Sequence, residues 1–238
     1  MKLCFAGTNA KKSRFTNRLK ELRFVLESYY YIQPWQAEQI KDIEHFMLDS
    51  GAFTFLNSKR SVDIEHYADE YIKFIKQYNI EHFFELDIDS VVGYEEVKKI
   101  RRKIERKTKK RCIPVWHKSR GIQDFKDMCK KYNYVAIGGI VAKEIPVREY
   151  FLLNAFCDYA HSYGCKIHAL GFTPGNLTEY RFDSVDSTSW IIGGAYGKMY
   201  EFSGHKMISK KPEERLKRNV YDENNINQFM LYQQYLNT

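Results

Sequence analysis

The chain has 238 residues, with 38 Lys+Arg against 30 Asp+Glu, a formal charge of +8, and 44% hydrophobic residues. That length suits one large domain or two small ones with a sizeable core, and the 16% of aromatic residues excludes wholesale disorder. No apolar run approaches the roughly 20 residues that span a bilayer, and the stretch from Leu3 to Gly7 is too short for a signal-peptide core.

Five cysteines, Cys4, Cys112, Cys129, Cys157 and Cys165, stand singly with no CxxC. Zinc ribbons, iron–sulfur clusters and thioredoxin-type pairs need closely spaced thiolates, so the expectation is reduced thiols, no metal and no cofactor. A soluble cytoplasmic protein with no membrane partner is expected. The basic balance suits a polyanionic partner.

In chain order, the sequence predicts a strand at Lys2–Ala6, another at Phe46–Asp49 and a helix from Asp63 to Tyr78. In that helix Ile64, Tyr67, Ala68, Tyr71, Ile75 and Tyr78 recur on one face. A strand at His82–Asp87 is followed by a helix with the stripe Val97, Ile100 and Ile104. Strands at Cys112–Trp116 and Tyr134–Gly138 come next, then a helix with Leu152, Ala155, Phe156, Tyr159, Ala160 and Tyr163, ended by Gly164. Strands at Lys166–Leu170, Ser184–Ser187 and Lys198–Phe202 and a helix over Ile226–Leu236 complete the series. Most of the strands are nearly continuous apolar runs, as in sheets buried on both faces.

Repeated β-then-α alternation implies parallel strands with crossover helices. Eight candidate strands in about 240 residues match the size of a (β/α)8 TIM-type barrel, about 250 residues. A doubly wound sheet is the alternative, but Gly7-Thr8-Asn9 is not a GxGxxG loop. The expected organisation is an α/β chain with a single barrel over 1–205 and a basic extension over 206–238, whose terminal helix packs on the barrel.

Barrel enzymes carry reactive groups at the C-terminal ends of strands. Those ends read Asp49-Ser50-Gly51-Ala52-Phe53, Glu85-Leu86-Asp87-Ile88-Asp89, Trp116-His117-Lys118, Gly138-Gly139-Ile140, His168 to Gly171, and Asp183-Ser184-Val185-Asp186-Ser187. A lone Asp after a strand is more often a helix cap or turn residue than a catalyst. Carboxylates from three strand ends, however, would converge on one mouth, where burying them is costly unless they bind something or share protons. Period-2 alternation places Glu85, Asp87 and Asp89 on one side, and Ser50-Gly51 lets the backbone approach a ligand.

These residues resemble the tRNA-guanine transglycosylase family. Asp49-Ser50-Gly51-Ala52-Phe53 looks like its Asp-Ser-Gly-Gly-Phe motif, and Tyr134-Val-Ala-Ile-Gly-Gly-Ile140 looks like its substrate-base loop. His168-Ala-Leu-Gly-Phe-Thr173 is similar to its His-Leu-Leu-Gly segment, and Asp186-Ser-Thr-Ser-Trp190 resembles the Asp-Ser-Ala-Ser-Tyr around its nucleophile. The matches come in the family's order over roughly Phe46 to Phe202. The family's zinc subdomain is missing: after Phe202 there is His205 but no cysteine. The chain therefore looks closer to the compact, phage-type branch that inserts 7-deazaguanines into DNA, and a host cytoplasm is implied if it is phage-encoded.

The resemblance implies a pentosyltransferase that exchanges guanine in a nucleic acid, DNA in preference to tRNA, for a 7-deazaguanine such as preQ0. Asp186 would be the nucleophile at C1′ and Asp49 the acid/base. Phe182-Asp183-Ser184 also resembles a nucleophile run, which keeps Asp183 open; Ser187, Ser189 and Trp190 extend the match on the side of Asp186. Ser50, Gly51, His168 and Gly171 belong to the same implied base pocket. There Asp87 or Asp89 would accept from the purine, Gly138, Gly139 and Ile140 would offer backbone groups, and Phe53 or Trp116 a flat face. His117 lies where relatives place a Gln, with a structural wall histidine as the alternative.

For phosphate contacts the loop residues Lys11, Lys12, Arg14, Lys59, Arg60, Lys118 and Arg120 are the candidates, with the basic tail from Lys206 to Arg218 behind them. The run Lys98 to Arg111 has ten basic residues in fourteen, but it reads as the solvated outer face of a barrel helix. Accessory proteins or a homodimer remain open as partners. Two rival readings are a metal-dependent barrel hydrolase using His117, His168 and a strand-end carboxylate, and a catalytically idle nucleic-acid-binding barrel.

Overall fold

The computed structural model describes residues 1–8, 18–51, 54 and 63–238. Phe53, Lys11, Lys12, Arg14, Lys59 and Arg60, all singled out above, lie outside the described residues. Eight strands form one sheet: β1 Lys2–Ala6, β2 Phe24–Ser28, β3 His45–Asp49, β4 His82–Phe83, β5 Val115–Trp116, β6 Tyr134–Ile137, β7 Lys166–Ala169 and β8 Ser184–Ser187. Their order is β4-β3-β2-β1-β8-β7-β6-β5, and every neighbouring pair is parallel.

Beyond the outer strands, Phe84 and Ile113 form one parallel bridge. There Ile113 N donates to Phe83 O at 2.8 Å and Glu85 N to Ile113 O at 3.0 Å. This eight-stranded, all-parallel, curled sheet is compatible with a (β/α)8 barrel.

Alternation along the strands sorts the core into two clusters. Cys4, Ala6, Phe24, Leu26, Met47, Phe84, Val115, Tyr134 and Ala136 pack together on the concave side. Leu3, Phe5, Val25, Leu48, Val135, Ile167 and Val185 face the helices. Both faces are thus buried, which is why the strands read as unbroken apolar runs.

The helices are α1 Pro34–Ala37, α2 Ile64–Gln77, α3 Asp89–Val92, α4 Tyr94–Thr108, α5 Gly121–Lys131, α6 Leu153–Ser162, α7 Ser189–Ala195 and α8 Arg218–Leu236. Asp63 caps α2 by accepting from His66 N at 3.0 Å. The apolar stripe of α2 buries Ala68, Tyr71 and Ile75 against the sheet. Two of its tyrosines reach the strand ends: Tyr67 donates to Ser50 O at 2.7 Å, and the Tyr71 hydroxyl lies 3.1 and 3.0 Å from the carbonyls of Leu48 and Phe84. Helix α8 returns to the start of the chain, where Gln233 Nε2 donates to Leu3 O at 2.8 Å and Leu236 O accepts from the Met1 amine at 2.8 Å.

One strand assignment is corrected. Lys198–Phe202 is not the eighth strand of the sheet: β9 Met199–Phe202 pairs antiparallel with β10 Met207–Lys210 in a separate hairpin that crosses residue 205. The additional sheet strand is β2, in a segment for which the sequence pattern predicts nothing. It lies between β1 and β3, in register from Phe24↔His45 to Ser28↔Asp49. No described helix is long and apolar enough to cross a membrane.

Candidate active site

All eight strands send residues to one cavity of about 670 Å³ at their C-terminal ends. Its wall takes Ala6 from β1, Glu27 and Ser28 from β2, Asp49 from β3, Asp87 after β4, His117 after β5, Gly138 and Gly139 after β6, Leu170 and Gly171 after β7, and Asp186 from β8. Ligand sites commonly enclose about 300–1,000 Å³. Of the residues expected here, Asp49, Asp87, Asp186, His117, Gly138, Gly139 and Gly171 do line this wall.

Asp186 sits low in the wall, 7% exposed. Its Oδ1 accepts from Gly171 N at 2.7 Å and lies 3.2 Å from His168 Nε2. His168 is fully buried, with Nδ1 2.5 Å from Ser184 Oγ, so it supports Asp186 from beneath and does not line the cavity. Asp49 Oδ2 accepts from Gly51 N at 2.9 Å. Burial, reinforced by the nearby carboxylates Asp186 and Asp87, pushes the Asp49 carboxyl up to about 6.

The turn after Asp49 requires glycine twice over. Gly51 has φ +80°, and a Cβ there would lie 2.7 Å from Tyr30 Cβ. Gly138 is required by proximity: a Cβ would meet the His117 ring at 2.7 Å.

Asp87 is held between two cationic groups. Its Oδ1 accepts from Arg120 Nη2 at 2.9 Å, and its Oδ2 lies 2.6 Å from His117 Nε2. Glu144 Oε1 lies 3.0 Å from His117 Nδ1. Burial disfavours the imidazolium, but the hydrogen bond to Asp87 and the charges of Asp87 and Glu144 outweigh it and raise His117 to about 9. His117 is therefore a charged member of the wall near neutral pH.

Beneath this layer Arg120 gathers all three alternating carboxylates: Glu85 at 3.5 Å, Asp87, and Asp89 at 2.8 Å. Arg101 of α4 reaches Glu85 from the other side at 3.4 Å. Burial pushes the Glu85 carboxyl up while the two guanidiniums pull it down.

Several expectations need correction. Asp183 precedes β8 at the opposite end of that strand; its Oδ2 accepts from Ile167 N at 2.8 Å and lies 2.9 Å from His161 Nε2. It fastens the start of β7 and is far from the role of nucleophile in this cavity. Arg120 is no phosphate contact: its side chain is 4% exposed and engaged by carboxylates and by the Tyr94 ring at 4.2 Å. Asp89 is turned to Arg120 and does not line the cavity.

Trp116 faces the helix layer, against Phe125 and Phe156 and with Nε1 donating to Gly121 O at 2.8 Å, so it offers no stacking face to the mouth. Alternation explains it, since His117 takes the inward position next in the chain. Ser50 and Ile140 are buried outside the cavity wall. Lys118 is half exposed and paired with Glu149 at 2.5 Å. The basic run of α4 is tied into ion pairs, Lys98 with Glu95, Lys99 with Glu96 at 2.8 Å, and Lys103 with Glu65 at 2.6 Å and Asp69 at 2.8 Å.

Sequence reasoning missed Glu27 and Glu144 in the wall. Glu27 belongs to β2; the Val25-Leu26 pair followed by Tyr29 to Tyr31 was the available β signal. Among the described residues no group of three or more His, Cys, Asp and Glu is arranged to hold a metal ion. His117 lines the cavity, whereas His168 is buried against Asp186. Compared with known protein families and with curated proteins, the chain matches none.

Proposed function

We propose that this cavity is the active site of a base-exchange transglycosylase, a pentosyltransferase that replaces guanine in a nucleic acid, DNA in preference to tRNA, by a 7-deazaguanine. The reading takes the sheet as a (β/α)8 barrel completed at the Phe84–Ile113 bridge. The observation that carries it is one wall holding two carboxylates in unequal settings. Asp186 is fastened by a backbone N–H and a buried histidine, and Asp49 is raised to about 6.

In this scheme an Asp186 oxygen attacks C1′ as the glycosidic C1′–N bond breaks, and Asp49 protonates the departing guanine. The incoming base gives a proton back to Asp49, its nitrogen attacks C1′, and the Asp186 ester bond breaks. Two displacements retain configuration and leave the phosphodiester backbone intact, with no cofactor required. In this scheme Asp87, ion-paired on both oxygens, accepts from the purine N1–H and amine beside the Gly138-Gly139 backbone.

The test offers labelled guanine or a 7-deazaguanine with tRNA, duplex DNA and single-stranded DNA in turn. The expected result is incorporation into DNA and an adduct trapped on protein that is lost in Asp186→Asn. Incorporation into none of the polymers overturns the proposal. Incorporation into tRNA alone overturns its preference for DNA.

A further inference from the structure

The mouth holds two carboxyl groups that the scheme above does not use, Glu144 beside His117 and Glu27. Glu27 lies in β2, which stands between β3 with Asp49 and β1, the neighbour of β8 with Asp186. It lines the cavity and is 2% exposed.

Its surroundings are arranged in a definite direction. Gln33 N donates to Gln36 Oε1 at 2.9 Å in the capping box of α1, which fixes the amide with its NH₂ side facing away from Gln33. That NH₂ donates to Thr8 Oγ1 at 2.8 Å. A hydroxyl that accepts there is free to donate elsewhere, and Thr8 Oγ1 donates to Glu27 Oε1. Thr8 N donates to the same oxygen at 2.7 Å. Both lone-pair directions of Oε1 are thus occupied by the two Thr8 donors, neither of which uses Oε2, and the Gln36 amide also acts on this carboxyl. A proton on this carboxyl must therefore sit on Oε2.

We propose that Glu27 meets its ligand as a neutral carboxylic acid whose Oε2–H donates to an oxygen of the bound nucleotide, between the base over Asp49 and the sugar carbon over Asp186. This rests on the nucleic-acid reading of the cavity. Burial raises the Glu27 carboxyl to about 7, while the Thr8 and Gln36 hydrogen bonds pull it down. The charged groups sharing the wall are Asp49 on β3, Asp87 after β4, His117 after β5, Glu144 after β6 and Asp186 on β8. Ionised Glu27 would present a negative charge to an anionic backbone; neutral Glu27 presents a donor.

The experiment has two parts. Isotope-edited infrared titration of the full chain follows the Glu27 carboxyl directly, with Glu27→Gln identifying the band. Binding of a guanine-containing single-stranded DNA oligonucleotide is then measured from pH 5.5 to 8.5 for the wild type, Glu27→Gln and Glu27→Ala. Using the ratio of wild type to Glu27→Gln cancels the titration of Asp49 and His117.

The expected ratio is near one at low pH and falls about five- to tenfold as pH passes 7, while Glu27→Ala binds about fivefold more weakly than Glu27→Gln throughout. Thr8→Val, which removes one donor from Oε1, should move the Glu27 midpoint upward. A carboxylate band already present at pH 5.5, or a ratio flat across the range, overturns the inference. A Glu27 midpoint near 7 with no oligonucleotide binding by any variant overturns the nucleotide as ligand, and with it the function proposed above.

Discussion

At the C-terminal ends of the strands the cavity wall is acidic, with Asp49 on β3 and Asp186 on β8, whereas the N-terminal ends of the same sheet carry Lys2 on β1, His45 on β3, His82 on β4 and Lys166 on β7. His45 is 8% exposed, its ring lies 4.6 Å from that of His82, and burial with the charges of His82, Lys2 and Lys166 lowers it to about 3. Burial and Lys166 lower His82 as well. One strand, β3, thus holds His45 neutral at one end and a carboxyl raised to about 6 at the other. The same cause, burial of a charge, acts on an acid and a base with opposite consequences. At the mouth, this leaves proton carriers that titrate near neutrality; at the other end it leaves uncharged imidazoles that pack.

The largest effects should come from removing the mouth's acids. Asp49→Asn is expected to lower base exchange about 10²–10⁴-fold, and Asp186→Asn to abolish both exchange and the adduct, read by labelled-guanine incorporation. Equal activity of either variant and the wild type would erase the functional contrast between the two ends. Next, Arg120→Met leaves Glu85, Asp87 and Asp89 without their shared partner. A loss of about 3–5 kcal/mol in urea unfolding is expected, and an unchanged stability would show that the acidic layer does not depend on that cation.

The contrast also predicts pH slopes of opposite sign. Asp49 and Glu27 are raised above their unfolded values, so between about 4 and about 7 the folded chain holds protons that the unfolded chain has released. Their contribution to stability therefore declines as pH rises through that window. His45 is lowered, so the unfolded chain takes up a proton that the folded chain refuses between about 6.5 and about 3; its contribution declines as pH falls. Urea unfolding across pH 4–8 should show the alkaline-side decline flattened in Asp49→Asn and the acid-side decline flattened in His45→Gln. Slopes changed in the same direction by both would break the comparison. The smallest effect belongs to Asp183→Asn, a change at the far end of β8. It should lose about 1 kcal/mol per hydrogen bond weakened with base exchange intact, and an inactive but folded variant would put Asp183 back in the chemistry.

Much of the wall was legible because it is written locally. Strand-end Asp49, the Gly138-Gly139 pair and His117 follow apolar runs whose ends mark one face of a parallel sheet, and Asp186 stands in the short extended piece Ser184–Ser187. Glu27 was not legible, because its strand follows a charged stretch and places a glutamate where a buried strand calls for an apolar residue; burial by Thr8 and Gln36 is a property of three separated segments. The misplacement of Lys198–Phe202 has a similar origin. Its pattern says strand, and only its partner, Met207–Lys210, says which sheet.

Composition, alternation and spacing by themselves determined an α/β chain of parallel strands, its helical stripes and the end of the sheet where its acids gather, because periodicity and burial act within a few residues. The tertiary structure alone decided which of those acids share a cavity and which are tied elsewhere. Asp186 on β8 and Asp183 just before that strand are three positions apart, yet one is held by Gly171 over the cavity and the other by Ile167 at the opposite end. A carboxyl's role depends on the solvent, charges and donors around it, and those come from residues far away in the chain.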